Sequence, residues 1–254
     1  MLPITRLLIS HAHTRPALKD ADKYRIREVR AVVAHWTANT KKGAGAVANR
    51  NYFNNGSPGP GGKLRAASAH YCVDDKTIVQ CLPDNEVGYH VGAMRYRPEG
   101  YKLMDGYKGL TPNFFTVGYE MCVNSDADWN ITRANSIDLA CHLLVKHGLS
   151  IHALIRHYDV TGKDCPKMLL DPAEWSEYRA EVLMVLQQYA IEGAVPMVVA
   201  SKGLNVRKGP GTAHEIRYEL SKGERVVMFP RRTEGDWVVI GQEEWVNLKY
   251  LTTV

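Results

Sequence analysis

A change of rhythm near Glu192–Val195 constrains the fold more than any other feature of this 254-residue chain. Upstream, apolar runs alternate with helix-period stripes. Downstream, short runs follow one another closely: Met197–Ala200, Leu204–Arg207, Arg225–Phe229, Trp237–Ile240 and Glu244–Asn247. Gly203, Gly209-Pro210-Gly211, Gly223 and Gly235 punctuate them. Helices do not fit between such closely spaced turn signals, so this part predicts a small all-β barrel. The expected division is a first domain over 1–190, a linker over 191–196 and a second domain over 197–254.

The first domain predicts an α/β fold, a central mixed sheet flanked by helices. Residues 27–37 hold the β-branched run Val29-Arg30-Ala31-Val32-Val33-Ala34, which ends at His35-Trp36-Thr37. A buried strand with a histidine at its C-terminal end is expected, where open α/β sheets place their sites. Residues 43–53 predict a short helix with Val47 and Tyr52 or Phe53 inward. The Gly/Pro/Asn-rich stretch 54–62 predicts no regular element. A hairpin turning around Asp75 follows, and then an aromatic loop over 93–113 carrying Tyr96, Tyr101 and Tyr107. Residues 114–123 predict a strand. An amphipathic helix over 132–147 stops at Gly148, and a second helix starts at Asp171-Pro172 with Glu174 completing a capping box.

Bulk properties exclude several classes. No apolar run approaches the roughly 20 residues needed to cross a bilayer, so membrane insertion is not expected. The start of the chain has too short an apolar core for a secretory signal, which predicts synthesis in the cytoplasm. The net charge of +5 is mild and forms no concentrated basic stretch, which argues against nucleic acid. Five cysteines cannot all pair within one chain. Four lie in apolar runs, the setting of inert buried thiols. The oligomeric state is left open.

Cys165 differs. It closes the polar stretch Arg156-His157-Tyr158-Asp159-Val160-Thr161-Gly162-Lys163-Asp164-Cys165-Pro166. Histidine and cysteine are both good ligands for a borderline-soft ion such as zinc. Two ligands do not make a site, and His35 is a candidate third. Glu120, in an otherwise apolar run, also needs a reason, because a buried carboxylate is costly unless paired or working.

Ala34-His35-Trp36-Thr37, Ser68-Ala69-His70-Tyr71, Gly88-Tyr89-His90-Val91-Gly92, Gly118-Tyr119-Glu120 and His157 through Cys165-Pro166 occur in this order. Together they resemble the zinc-dependent N-acetylmuramoyl-L-alanine amidases shared with phage endolysins and peptidoglycan recognition proteins. The resemblance covers roughly residues 25–186. It implies His35, His157 and Cys165 as Zn2+ ligands, with a fourth position open for water as in a catalytic site. It implies Glu120 as general base and Lys163 as partner of the tetrahedral oxyanion. Some relatives carry a catalytic tyrosine just before the strand histidine. Ala69 stands there, which shifts weight onto Glu120. His90, Asn39 and Tyr71 are expected to face substrate, and His70 to pack behind the site.

Leu204-Asn205-Val206-Arg207-Lys208-Gly209-Pro210-Gly211-Thr212 resembles the opening of bacterial SH3-like domains. That resemblance implies anchoring to bacterial peptidoglycan, with Trp237 and Trp245 as binding aromatics or core. The expected function is hydrolysis of the amide joining N-acetylmuramic acid to L-alanine of the stem peptide. The expected place of action is the cell wall, after release from the cytoplasm by a phage holin or by non-classical export. The competing readings are a non-catalytic peptidoglycan-binding protein, a cytosolic muropeptide-recycling amidase and a structural zinc site.

Overall fold

Alternation along the central strands decides which side chains reach the site. The structure is a computed structural model that describes residues 2–58, 62 and 64–254. In chain order it forms β1 (Ile4–Arg6), β2 (Ala31–Trp36), α1 (Ala46–Asn55), β3 (Ser57–Pro58), β4 (Leu64–Arg65), β5 (Tyr71–Val73), β6 (Ile78–Gln80) and α2 (Pro98–Leu103). Then come β7 (Thr116–Met121), α3 (Trp129–His147), β8 (Leu154–Arg156), α4 (His157–Thr161) and α5 (Pro172–Ile191). The remainder is all β: β9 (Val195–Val199), β10 (Gly203–Arg207), β11 (Ile216–Ser221), β12 (Arg225–Glu234), β13 (Trp237–Gly241), β14 (Glu244–Asn247) and β15 (Leu251–Thr253).

The first sheet has the order β1-β6-β5-β7-β2-β8. β5, β7, β2 and β8 run parallel, and β6 lies antiparallel to β5. This is the expected mixed sheet. β2 is buried at five consecutive positions, Ala31 to His35, as befits a central strand covered on both faces. Successive side chains point to opposite faces. Val32 and Ala34 join Tyr119, Met121, Ile137, Leu144, Tyr178 and Val182 in the core under α3 and α5. Ala31 and Val33 join Leu103, Phe115, Ile155 and Val160 on the other face. His35 continues that second row.

Local chemistry sets the helix ends. The Asp128 carboxylate accepts from the amides of Asn130 and Ile131, and Gly148 closes α3 in the left-handed region at φ 67. Asp171 caps α5 through Ala173 and Glu174, with Pro172 in the first turn. Asp74 serves two elements. Its Oδ2 accepts from the Ala46 amide at the start of α1, and its Oδ1 accepts from Lys76 and Thr77 in the β5–β6 turn.

Several expectations change. α1 turns Ala46, Asn49 and Phe53 inward, while Val47 and Tyr52 are exposed. The 93–113 segment is not all loop, because Pro98 opens α2. Part of the 54–62 stretch pairs as β3 with β4, and residues 59–61 lie outside the described set. β1, β11 and β15 are strands beyond those expected from the sequence.

The second sheet is antiparallel, ordered β11-β10-β14-β13-β12-β9-β15, around a core that includes Val199, Val206, Val226, Val238 and Val246. It docks on the first sheet's helices. Phe229 packs edge-on to Tyr189 of α5 at 5.4 Å, with Val145 of α3 in the same cluster. Arg6 of β1 donates to both oxygens of Glu224 at 2.8 and 3.0 Å.

Candidate metal centre and active site

Three parallel strands deliver the site from their C-terminal ends. β2 and β7 are in register with His35 opposite Glu120, and paired positions on parallel neighbours share a face. β8 adjoins β2 and passes directly into α4, so His157 emerges beside His35. The two imidazoles meet edge to face at 4.7 Å. Gly162 ends α4 at φ 83 and turns the chain back, and the Tyr158 amide donates to the Cys165 carbonyl at 2.9 Å. That reversal brings Cys165 Sγ to 3.6 Å from His35 Nδ1.

One residue that the sequence reading passed over holds this loop. Arg156 donates to Asp159 through its side chain and to the carbonyls of Leu169 and Leu170. Its guanidinium also lies against the rings of Tyr158 and Trp175. Arg156 thereby ties β8 to the segment just after Cys165. An arginine in the otherwise apolar Leu154-Ile155-Arg156 was the available signal.

The donor atoms of His35, His157 and Cys165 all lie within 4.8 Å of one another, and all three residues are buried. His157 Nδ1 is enclosed without a hydrogen-bond partner among the described residues. Burial holds His35 well below the usual imidazole range and lowers His157 to about 4, so both rings are neutral, the form that binds a metal. Burial pushes the Cys165 thiol up to about 12, while the Trp36 amide and the Lys163 charge favour its thiolate. A soft sulfur and two neutral imidazole nitrogens, with a ring nitrogen of His157 left without a partner among the described residues, fit zinc in a three-ligand site.

Glu120 stands on the same face. Burial pushes its carboxyl up to about 8 against the pull of Lys163, and Oε2 has no partner among the described residues. A nearby dication would pull that carboxyl back toward ionisation. Lys163 is exposed, lines the same cleft and acts electrostatically on Glu120, His35 and His157. The cleft, about 640 Å³, is lined by His35, Glu120, His157, Lys163, Cys165 and His90 among others. It combines ligands, a raised carboxyl and a cation.

The remaining candidates separate. His90 reaches the cleft, but its ring nitrogens lie 3.0 Å from His35 Nε2 and 3.2 Å from Thr116 Oγ1, so protein partners occupy both. Tyr71 is fully buried, donates to Asp84 at 2.6 Å and belongs to the core under α3, away from the cleft. Its place in the strand sends it to the opposite face. Asn39 accepts from the Lys41 amide in a turn and does not line the cleft. His70 bridges backbone groups, accepting from the Gly118 amide and contacting the Glu86 carbonyl. Asp164 is exposed and also lies outside the cleft lining.

Residues 25–168 match the family described as N-acetylmuramoyl-L-alanine amidase. The chain belongs to that family. Residues 202–252 match the bacterial SH3 domain. The chain is 32% identical over 207 residues to a probable N-acetylmuramoyl-L-alanine amidase of Bacillus licheniformis, covering 80% of this chain and 54% of the relative. It is 36% identical over 158 residues to the amidase BlyA of Bacillus subtilis, covering 61% and 39%. The chain therefore spans about half, or less, of the length of these relatives. Among solved structures, the catalytic domain of XlyA superposes with a TM-score of 0.55 at 31% identity, covering 71% of this chain and 99% of that one.

Proposed function

We propose that this amidase-family protein hydrolyses the amide between N-acetylmuramic acid and L-alanine in bacterial peptidoglycan. The observation that carries the reading is the convergence of His35, His157 and Cys165 beside Glu120 and Lys163 in one cleft. His35, His157 and Cys165 would hold zinc. Zinc supplies there a Lewis acid that polarises the scissile carbonyl and acidifies the attacking water. Glu120 takes the proton from that water as it adds to the carbonyl carbon. Lys163 at the cleft mouth faces the oxyanion that forms. As the carbon–nitrogen bond breaks, Glu120 returns its proton to the leaving amine of L-alanine, and the lactyl carboxylate departs on the glycan side. The second domain tethers the enzyme to the wall. Trp245 packs in the cluster with Val227, Phe229 and Val239, which favours a core role for it.

The test uses purified walls and the full chain. Cleavage releases free α-amino groups of alanine without new reducing sugars, and a chelator abolishes it until zinc is restored. Near-full activity in Cys165→Ala or Glu120→Ala would overturn the assignment. A non-catalytic binder would pull down walls and release nothing. A recycling enzyme would cleave soluble muropeptides and ignore whole walls.

A further inference from the structure

A chain of hydrogen bonds runs inward from Cys165 and ends at a carbonyl. Cys165 Sγ lies 3.6 Å from His35 Nδ1, and His35 Nε2 lies 3.0 Å from His90 Nδ1. His90 Nε2 lies 3.2 Å from Thr116 Oγ1, which lies 2.9 Å from the Pro112 carbonyl oxygen. Every side chain in it is buried, with Thr116 and His35 at 0% and 1% exposure. Heavy-atom distances do not show the protons, but donor counting does. A carbonyl oxygen only accepts, and a hydroxyl has one hydrogen to give. Thr116 therefore donates to Pro112 and must accept from His90. His90 carries its proton on Nε2 and offers the Nδ1 lone pair to His35. His35 then carries its proton on Nε2, which leaves Nδ1 bare toward Cys165. In the metal-free protein the thiol hydrogen satisfies that bare nitrogen, so all four bonds share one polarity.

We propose that His90, oriented by Thr116, is a positioning residue that locks His35 in the Nε2–H tautomer and so aims its Nδ1 lone pair at the metal position before any metal arrives. The reversed polarity would place an N–H of His35 where the metal must bind and would take the Thr116 hydrogen away from Pro112. Neighbouring residues are shaped to keep His90 in place. Its backbone amide and that of Val91 both donate to Asn113 Oδ1. The His70 ring abuts it edge to face at 5.5 Å. Gly118 lies beneath it, and a methyl group there would sit 2.5 Å from His90 Nδ1 and 2.8 Å from Cε1. Only the absence of a side chain at 118 leaves room for this ring.

The inference rests on His35 as a metal ligand, and its tests do not depend on wall hydrolysis. Nitrogen-15 correlation spectra of the metal-free full chain should show His35 and His90 as neutral rings protonated on Nε2. Protonation of His35 on Nδ1 would overturn the proposal, and this reading needs no variant. Chelator competition then measures zinc affinity. His90→Phe keeps the ring volume but loses the acceptor, and should weaken zinc binding roughly 10–100-fold, the usual effect of removing such a partner. His90→Gln keeps one acceptor and one donor and should recover affinity to within about threefold. Thr116→Val should populate both His35 tautomers, whereas Thr116→Ser should not. Zinc affinity in a folded His90→Phe equal to that of the parent would refute the role. Equal losses in the Phe and Gln variants would reduce it to packing and also refute it.

Discussion

Glu120 is the site's most informative titratable group, and Glu120→Gln isolates it. In the metal-free protein its carboxyl sits at about 8 against an ordinary 4.5, chiefly through burial. A raised carboxyl pKa means that the folded state holds a proton that the unfolded state has released. Stability is therefore complete below about pH 4.5 and is lost as pH rises toward 8. At about 1.36 kcal/mol per pH unit the whole span amounts to at most about 5 kcal/mol. Glu120 is only half-buried by accessible surface, so solvent screening lowers the expected loss to about 2–3 kcal/mol. The buried histidines act oppositely. Their depressed values make stability rise with pH up to about 6.5, so neither curve alone is diagnostic. Urea unfolding of both metal-free proteins at pH 5, 6.5 and 8.5 supplies the difference. The variant should gain about 2–3 kcal/mol on the parent between pH 5 and 8.5, and zinc should shrink that gain. A constant difference across the range would refute the raised carboxyl.

Three further perturbations probe separate parts. Lys163→Ala should lower kcat about 10²-fold with zinc affinity retained, measured by amine release and chelator competition. Glu224→Ala leaves Arg6 without its partner in a pair of low exposure and should cost about 3 kcal/mol in calorimetry. The double change Arg6→Met with Glu224→Leu should recover most of that loss. Phe229→Ala empties a contact with Tyr189 and Val145 and should cost about 3 kcal/mol while leaving the zinc affinity of the first domain near its parent value.

The sequence exposed candidate site residues more readily than the directions of their side chains. His35, Glu120, His157 and Cys165 stand out because polar residues at the ends of apolar runs have few cheap explanations. Tyr71, expected to face substrate, lies in the core under α3, because one position along a strand reverses the face. His90 was visible as a cleft residue, but its partner Thr116 is an ordinary strand threonine with no marker. Gly118 is legible only once the ring above it is seen, and Arg156 needed the fold of the loop it clamps. β1 and β15, three residues each, lacked enough length for a period to register. Val47 looked like an inward residue of α1. The cap from distant Asp74 places the helix start at Ala46, and Val47 falls on the outer side.

The two faces of the first sheet divide its work. His35 and Glu120 point away from α3 and α5, and the second sheet docks through Val145 of α3, Tyr189 of α5 and Arg6 of the edge strand β1. The second domain thus covers the structural face, and among the described residues none of that domain lines the cleft. A tether that only needed to raise local concentration would work on a loose linker. Only three residues separate Ile191 from Val195, and an ion pair of low exposure reinforces the contact. A wall strand bound by the second domain would therefore meet a cleft held in one orientation, which favours strands presented at one angle. Lengthening the 192–194 connection while breaking the Arg6–Glu224 pair should leave soluble muropeptide turnover unchanged and alter the rate on intact walls. Equal effects on both substrates would show that docking serves stability alone.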